Sequence, residues 1–323
     1  MNGNKNLKCY FAFSNDIENN QVYIDMLMAC LNSARKNTTL DLHCLYDGEK
    51  SDKLYLMLSD YNVHIHLCRI PFEESIYALY SESYMKEKFG SIISAASLRG
   101  RFLRFLISEI EKEDEYILYC DTDVLFLQDI TLADFSTLPK YVLGAPEFKK
   151  DDFSYFNAGV MLINIKQARK KYQDFLAMLQ SQKYAQCFEC CDQGYLNDLY
   201  KKEWEHLPLE YNWKPHWGKN DNAKIIHFHG MKPNSLILSS IDWLQNLPDA
   251  SYDGFYYYYN LFCDYAKIDR TECLNRLTWG LMCCHNVKKE KKKLTKMQKV
   301  KRTLITLIPY KPLRQKLRRK YHV

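Results

Sequence analysis

The stretch that decides the fold reads Tyr116-Ile117-Leu118-Tyr119-Cys120-Asp121-Thr122-Asp123. Its first five residues are apolar or aromatic without alternation, which is typical of a strand that is covered by protein on both faces. Two carboxylates, one residue apart, then end the run abruptly. In α/β sheets, ligands bind at the carboxyl ends of parallel strands. Residues 121–123 are therefore a candidate ligand site at one edge of a sheet.

Before this strand, segments with the apolar spacing of a strand alternate with segments that have the apolar spacing of a helix. Strand patterns lie at 8–13, 40–45 and 63–68, and helical patterns lie between them at 22–34 and 52–61. This alternation predicts an α/β domain with a mainly parallel central sheet flanked by helices.

The residues after this strand continue the alternation. The patterns predict strands at 141–144, 159–165 and 223–228, and helices at 98–110, 167–180 and 191–199. The composition changes sharply only near Asn286. We therefore expect an α/β domain over 1–250, a helical part over 251–287 and a basic amphipathic tail over 288–323.

The charge of the chain is concentrated in that tail. Residues 288–323 contain 15 Lys and Arg and one Glu, a net +14, whereas the whole chain is +6, so residues 1–287 are net −8. The tail is interpreted either as a solvated extension or as a peripheral anchor to anionic lipid, with nucleic-acid binding as a further alternative. No nucleic-acid recognition module accompanies it, so an anionic membrane surface is the expected partner and nucleic acid is not.

Neither a secretory signal nor a membrane span is predicted. The first eight residues are mostly polar, and the apolar stretch that follows is only about one strand long. No run of about 18 apolar residues occurs. We expect a cytoplasmic protein that lies peripherally at the inner face of the membrane.

The pair Asp121 and Asp123 has the chemistry of a divalent-metal site. Crowded carboxylates repel unless a cation joins them, and hard oxygen ligands on a loop suit Mg²⁺ or Mn²⁺ bridging to a diphosphate. The alternative is a pair of solvent-facing loop acids. His227, at the end of the strand 223–228, is a candidate third ligand that favours Mn²⁺. His229 is expected to face the other way.

Further polar residues complete a candidate site. Gly230 permits close backbone approach to a phosphate, and Lys232 supplies a compact positive charge for a diphosphate. We expect Asn157 to hydrogen-bond sugar hydroxyls and the two small residues after it, Ala158 and Gly159, to leave room for the ring. Asp192 opens a helix, where the alternative is an ordinary N-cap.

Five motifs in order resemble glycosyltransferase family 8, over about residues 7–233. They are Phe-Leu-Arg-Phe-Leu-Ile around Arg104, Tyr-Cys-Asp-Thr-Asp-Val, Phe-Asn-Ala-Gly-Val-Met-Leu-Ile-Asn, Asp-Gln-Gly-Tyr-Leu-Asn and His-Phe-His-Gly-Met-Lys-Pro. The resemblance implies a GT-A fold, a UDP-sugar donor, Mn²⁺ and retention of anomeric configuration. It also implies a saccharide or glycolipid acceptor, as in cell-surface polysaccharide or lipopolysaccharide synthesis.

The resemblance assigns roles residue by residue. Asp121, Asp123 and His227 match the family's metal ligands. The remaining matches bind the donor: Ala12, Ser14, Arg104, Thr122, Asn157, Ala158, Asp192, Gln193, Gly230 and Lys232. This chain departs from the family where Ser14 stands at a frequent aspartate and Asn234 at a frequent aromatic.

The resemblance leaves open the mechanism of retention and two alternative classes of protein. A double displacement would need Gln193 as nucleophile, and because an amide is a poor one we favour front-face attack, with Asp192 and Gln193 holding the sugar. The alternatives are an inverting GT-A transferase and a non-catalytic protein that binds nucleotide-sugars or anionic lipid.

Overall fold

The computed structural model describes residues 5–80, 95–181, 191–230, 232–233 and 252–271. Within these residues the strands, numbered in chain order, are β1 (Lys8–Ser14), β2 (Asp41–Asp47), β3 (His64–Leu67), β4 (Tyr116–Cys120), β5 (Val124–Phe126), β6 (Val142–Pro146), β7 (Phe156–Asn164), β8 (Glu205–His206) and β9 (Ile225–His227). The α-helices are α1 (Gln21–Asn37), α2 (Lys53–Asp60), α3 (Glu73–Leu79), α4 (Ala95–Phe102), α5 (Ile107–Ile110), α6 (Ile165–Gln180), α7 (Cys191–Leu199) and α8 (Tyr252–Ala266).

The central sheet has the strand order β3-β2-β1-β4-β7-β6-β8. The first four strands are mutually parallel, and β8 is parallel to β6. Of the seven described strands of this sheet, β7 alone reverses, running antiparallel to both β4 and β6. The mainly parallel sheet flanked by helices confirms the predicted fold class. The reversal of β7 was not predicted, because the hydrophobic pattern of a strand carries no direction.

The strand that ends at the two aspartates is buried on both faces, as predicted. Ile117 and Tyr119 pack into one apolar cluster, whereas Leu118 and Cys120 pack into another on the opposite face. Successive side chains of a strand point to opposite faces, so both layers fix the position of β4. The loop that follows is thereby held at a defined place.

A small antiparallel pair, β5 with β9, begins directly after this loop. In its register Val124 lies opposite His227. The Phe228 N–H donates to Asp123 O (2.9 Å), which extends the pairing by one residue. The pair therefore joins two segments about 100 residues apart and brings the end of β9 to residues 121–123.

The prediction of one continuous helix over 98–110 was wrong, because the structure divides this segment into three parts. Helix α4 ends at Phe102, a 3-10 turn covers Leu103–Leu106, and α5 follows. Arg104 lies in the tighter turn, where its guanidinium donates to Ala158 O (3.0 Å) and Asp121 Oδ1 (2.8 Å). Such turns inside a helix often mark functional positions, and here long-range contacts of Arg104 compete with regular helical winding.

The aromatic-rich helix α8 packs against α1 rather than standing apart. Its buried residues Phe255, Tyr258 and Phe262 share an apolar cluster with Met26 and Ala29 of α1. The division at residue 251 stays a prediction, and residues 272–323, with the basic tail, lie outside the described residues. Within the described residues, no helix has the length and apolar character needed to cross a membrane.

Candidate active site

Asp121 lies at the carboxyl end of β4 and is held from two sides. Its backbone N–H donates to Gly159 O (2.7 Å) on the neighbouring β7. Its carboxylate accepts from Arg104 Nη2 (2.8 Å) and from the Tyr119 hydroxyl (2.9 Å). The guanidinium of Arg104 also lies over the Tyr119 ring, 4.5 Å from its centroid. The carboxylate is therefore fixed in position and remains partly open to the cleft.

Asp123 is more enclosed and faces two basic side chains. Its Oδ1 lies 3.3 Å from His227 Nε2, and its Oδ2 is paired with Lys232 Nζ. Burial alone would raise the pKa of Asp123, but the Lys232 ammonium outweighs burial and holds that pKa well below its usual range. The carboxylate is therefore ionised at neutral pH.

A chain of hydrogen bonds fixes the tautomer of His227. The Gly159 N–H donates to Asn157 Oδ1 (3.1 Å), which also accepts from Asn212 Nδ2 (3.1 Å). Because a backbone N–H can only donate, both amides are oriented, and Asn212 Oδ1 faces His227 Nδ1 at 3.0 Å. The proton of the neutral ring is thus on Nδ1, and the lone pair of Nε2 points at Asp123.

The geometry of these three side chains fits a divalent cation. Asp121, Asp123 and His227 each offer one ligand atom, and these atoms lie within 4.8 Å of one another. Among the described residues no hydrogen-bond donor reaches the buried Asp123 Oδ1. Burial lowers the pKa of His227, although Asp123 opposes this, so an unprotonated nitrogen faces a carboxylate oxygen. A cation between them satisfies both groups.

The position of His227 requires a glycine at residue 159 of β7. A Cβ atom at Gly159 would overlap the imidazole ring of His227. The absence of a side chain at Gly159 therefore makes room for the histidine. The sequence predicts a sugar ring in the space beside Ala158 and Gly159, and at Gly159 the imidazole occupies that space instead.

A second group of polar side chains surrounds Asn157. Asn157 Nδ2 donates to Glu147 Oε2 (2.9 Å) and to Gln193 Oε1 (3.2 Å). The Ala158 N–H also donates to Gln193 Oε1 (2.8 Å), so this amide oxygen is directed into the protein. Glu147 in turn pairs with His229 Nε2 (3.0 Å).

Arg104 connects the two groups of side chains. Its Nη2 contacts Asp121, and its Nε lies 3.1 Å from Asp192 Oδ2. Burial raises the pKa of Asp192, an effect that Arg104 opposes. Asp192 lies in the first turn of α7 and faces this arginine rather than solvent. The N-cap alternative for Asp192 therefore does not describe its side chain.

One open cleft of about 570 Å³ collects nearly all the predicted residues. The predicted residues on its walls are Ala12, Ser14, Arg104, Asp121, Thr122, Asp123, Asn157, Asp192, Gln193, His227 and Lys232. Ala158 is buried behind the wall and acts through its backbone. Gly230 adopts a positive φ of 83°, which favours glycine.

The cleft also contains residues that the sequence analysis missed or misplaced. Glu147, Arg101 and Asp16 line it, and Asp16 accepts from Ser14 Oγ (2.5 Å), so a carboxylate is present beside Ser14. His229 lines it too, which corrects the expectation that it faces away. Residues two positions apart in extended chain share a face, and that alternation could have placed His229 correctly.

Comparison with known proteins places this cleft in a family. The profile described as Glycosyl transferase family 8 matches residues 17–235. No curated protein sequence matches the chain. Among solved structures, the chain is similar to the apo-form glycosyltransferase GlyE of Streptococcus pneumoniae (18% identity, TM-score 0.55), with 85% of this chain and 63% of GlyE covered.

Two further structures have the same architecture. One is the galactosyltransferase LgtC in complex with donor and acceptor sugar analogues (17% identity, TM-score 0.55), with 81% of this chain and 95% of LgtC covered. The other is the bifunctional glycosyltransferase WbbM in its apo form (16% identity, TM-score 0.52), with 85% of this chain and 52% of WbbM covered.

At these identities the likeness is one of fold, the GT-A fold, and the chain spans less than two thirds of GlyE. The profile match, in contrast, covers more than half of the chain and includes every motif of the cleft from Arg104 to Lys232. The chain belongs to glycosyl transferase family 8.

Proposed function

We propose that the protein transfers a hexose from a UDP-sugar to a saccharide or glycolipid acceptor, with Mn²⁺ as cofactor and with retention of anomeric configuration. The supporting observation is the position of Arg104. It contacts Asp121 of the candidate metal group and Asp192 beside the amide group, which supports a single cleft that holds a diphosphate at the first group and a sugar at the second.

The nucleotide end of the cleft begins at the carboxyl end of β1. Ala12 and Ser14 line it there, and Asp16 adds a carboxylate that can accept from a base or ribose donor. Lys232 provides a compact charge for the diphosphate. A divalent cation held by Asp121, Asp123 and His227 would stabilise the negative charge that develops on the leaving diphosphate.

The sugar end of the cleft is formed by Asp192 and Gln193, and Asn157, whose amide is fully engaged by protein groups, positions Gln193. Arg104 holds the Asp192 carboxylate, and two donors hold the Gln193 oxygen. Side chains fixed in this way orient the sugar hydroxyls without rearrangement at the moment of reaction. The hydrogen bonds that hold the Gln193 oxygen also bear on whether Gln193 can act as a nucleophile. Since Gln193 Oε1 accepts from Ala158 N–H and Asn157, the atom that would act as nucleophile points away from the cleft.

We therefore favour attack of the acceptor hydroxyl on the face from which the diphosphate departs. In this mechanism Lys232 stays close to the leaving group, and Gln193 presents its NH₂ to the sugar. Proton NMR of the first product would test the stereochemistry. Product of inverted configuration would contradict the retaining assignment and support an inverting GT-A enzyme.

Asp123→Ala and His227→Ala should abolish both transfer and metal-dependent nucleotide binding while the protein stays folded. The measurements are thermal shift with a panel of UDP-sugars, with and without Mn²⁺, followed by donor-hydrolysis and transfer assays. Asp134→Ala is the matched control, because Asp134 also pairs with a lysine, Lys224 at 2.8 Å, but outside the cleft.

Each alternative predicts a different outcome of these assays. Mn²⁺-dependent activity that survives in both cleft variants would contradict the proposed site. Binding of UDP-sugars without hydrolysis or transfer to any saccharide would support a non-catalytic binding protein. A larger thermal shift with Mg²⁺ than with Mn²⁺ would contradict the assignment of the metal.

We also propose that the acceptor is a membrane glycolipid in cell-surface polysaccharide or lipopolysaccharide synthesis. The support is the charge of residues 288–323, a net +14 beside a body that is net −8. A cationic segment of this kind binds anionic lipid headgroups. The enzyme would then act at the cytoplasmic face of the membrane, without nucleic acid as a partner.

A further inference from the structure

A second cluster of potential ligand atoms lies at the opposite end of the sheet from the cleft. It consists of Asp41 and His43 on β2 with His64 and His66 on β3. Asp41 and His64 are the first residues of their strands, whereas the cleft lies at the carboxyl ends. His43 pairs with His64 in the parallel register, so the three imidazoles share one face of the sheet.

The separations within the cluster are those of ligands around one ion. His43 Nε2 lies 3.1 Å from Asp41 Oδ2, and His64 Nε2 lies 3.2 Å from Asp41 Oδ1. Four ligands at tetrahedral Zn²⁺, with bonds of about 2.0–2.1 Å, are separated by roughly 3.3 Å. The ligand atoms of these three residues lie within 4.8 Å of one another.

His66 supports this arrangement as a hydrogen-bond partner. Its Nε2 lies 2.9 Å from His43 Nδ1. A ligating histidine usually donates its other ring N–H to an acceptor, which fixes the tautomer and leaves the ligating nitrogen unprotonated. With the proton of His43 on Nδ1, its Nε2 lone pair faces the Asp41 carboxylate, and a cation between them removes the repulsion.

Buried side chains close the inner side of the cluster. The Lys8 ammonium lies on that side and is held by Glu111 at 2.9 Å. Tyr10, whose ring centroid is 4.7 Å from that of His43, closes the inner side of the cluster and donates its hydroxyl to Glu111.

We propose that Asp41, His43 and His64 form a second metal site, specific for a borderline cation such as Zn²⁺, with His66 as the positioning residue of His43. Two imidazoles and one carboxylate suit Zn²⁺, whereas the two carboxylates and one imidazole of the cleft suit Mn²⁺. The site is structural, because it links the edge strand β3 to β2 far from the donor cleft.

Zinc binding to the full-length protein tests this proposal. Equilibrium dialysis with metal analysis would give the number of Zn²⁺ bound, and Co²⁺ substitution would give the visible spectrum of a nitrogen-ligated site. His64→Ala should remove one equivalent of Zn²⁺ and the associated thermal stabilisation. The side chain of His64 is 62% exposed, so its loss leaves the fold intact. His66→Ala should weaken Zn²⁺ binding by about 10-fold to 100-fold.

His206→Ala is the matched control, because His206 is an exposed histidine on the other edge strand, β8. It should leave stoichiometry and stabilisation unchanged. Asp41→Asn provides a second variant that keeps the side-chain shape. Equal Zn²⁺ stoichiometry in the wild type, His64→Ala and Asp41→Asn would show that the cluster is only a hydrogen-bond chain and would overturn the proposal. UDP-sugar binding with Mn²⁺ should be the same in all these variants, so this test is independent of the proposed function.

Discussion

Lys214 is a fully buried cation that lies behind the sugar end of the cleft. Its ammonium donates to Pro146 O (2.9 Å) and lies 4.3 Å from the centroid of the Trp217 ring. Burial lowers the pKa of Lys214 to about 7, although Glu147 opposes this. At neutral pH this lysine is therefore partly charged in an interior that disfavours the charge.

The pH dependence of stability should reveal this lysine. Because its folded pKa lies below the unfolded value of 10.5, the unfolded chain binds more protons between these two values, and stability rises with pH there. Between about pH 7 and about pH 8.5 the gain should be about 2 kcal/mol. Urea unfolding at the two pH values measures it.

Lys214→Met keeps the length of the side chain and removes the titration. In that variant the rise of stability over this pH range should disappear, while the stability near pH 7 should increase. His206→Ala, which removes an exposed histidine, should retain the wild-type rise. A rise of equal size in Lys214→Met would show that another group causes it.

At the scale of single residues, the sequence predicted the residues whose position follows from their immediate neighbours along the chain. Apolar strands lead directly to Asp121, Asp123 and His227. Their position at the carboxyl ends of these strands could therefore be inferred. Glu147 could not be found in this way. It follows Pro146 in what reads as a loop, and its burial arises from Asn157 and His229, which are distant in sequence.

At the scale of elements, the close approach of β7 at Gly159 to the His227 ring at the end of β9 positions the third candidate metal ligand. Gly159→Ala would place a methyl group into the His227 ring. Overpacking of this kind costs about 1–3 kcal/mol of stability. The ring would have to move, so Mn²⁺-dependent UDP binding should weaken by about 10-fold or more. Denaturant unfolding and calorimetric titration measure the two effects.

Gly144→Ala provides the matched control for this prediction. Gly144 lies in β6, and a methyl group there would overlap the Phe156 ring rather than a histidine. It should destabilise the protein by a similar amount and leave Mn²⁺-dependent UDP binding close to that of the wild type. Equal loss of binding in both variants would mean that general loosening of the sheet, not displacement of His227, is responsible.

The order of elements was predictable, whereas their pairing was not. Long apolar runs and helical spacing identified β1, β4 and α7, because burial imposes those periods. The strands β5, β8 and β9 have two or three residues each, which is too short for a period to be detected in β5 and β8. Yet it is β5 and β9 that bring His227 to Asp123. Hydrophobic periodicity does not place His227 beside Asp123, and it was the ordered family motifs that identified both residues as parts of one site.

At the scale of the whole molecule, the charge of the chain is divided between two regions of opposite sign. A body of net −8 is repelled by an anionic bilayer, whereas residues 288–323, with a net +14, are attracted. Each basic residue near such a surface contributes about 1 kcal/mol, and salt screens this attraction. We therefore expect the tail to orient the body on the membrane as well as to bind it there.

Removal of residues 288–323 should abolish flotation with vesicles that contain anionic lipid, while Mn²⁺-dependent donor hydrolysis stays unchanged. The matched control keeps the tail length but replaces the five lysines Lys291, Lys292, Lys293, Lys296 and Lys299 by Gln, which should weaken binding in part. Full-length protein should float with anionic vesicles at low salt and be released at high salt, because the attraction is electrostatic. Equal binding to neutral vesicles, or binding to neither kind, would contradict an electrostatic anchor, and the tail would then be a solvated extension of an enzyme that finds its acceptor in another way.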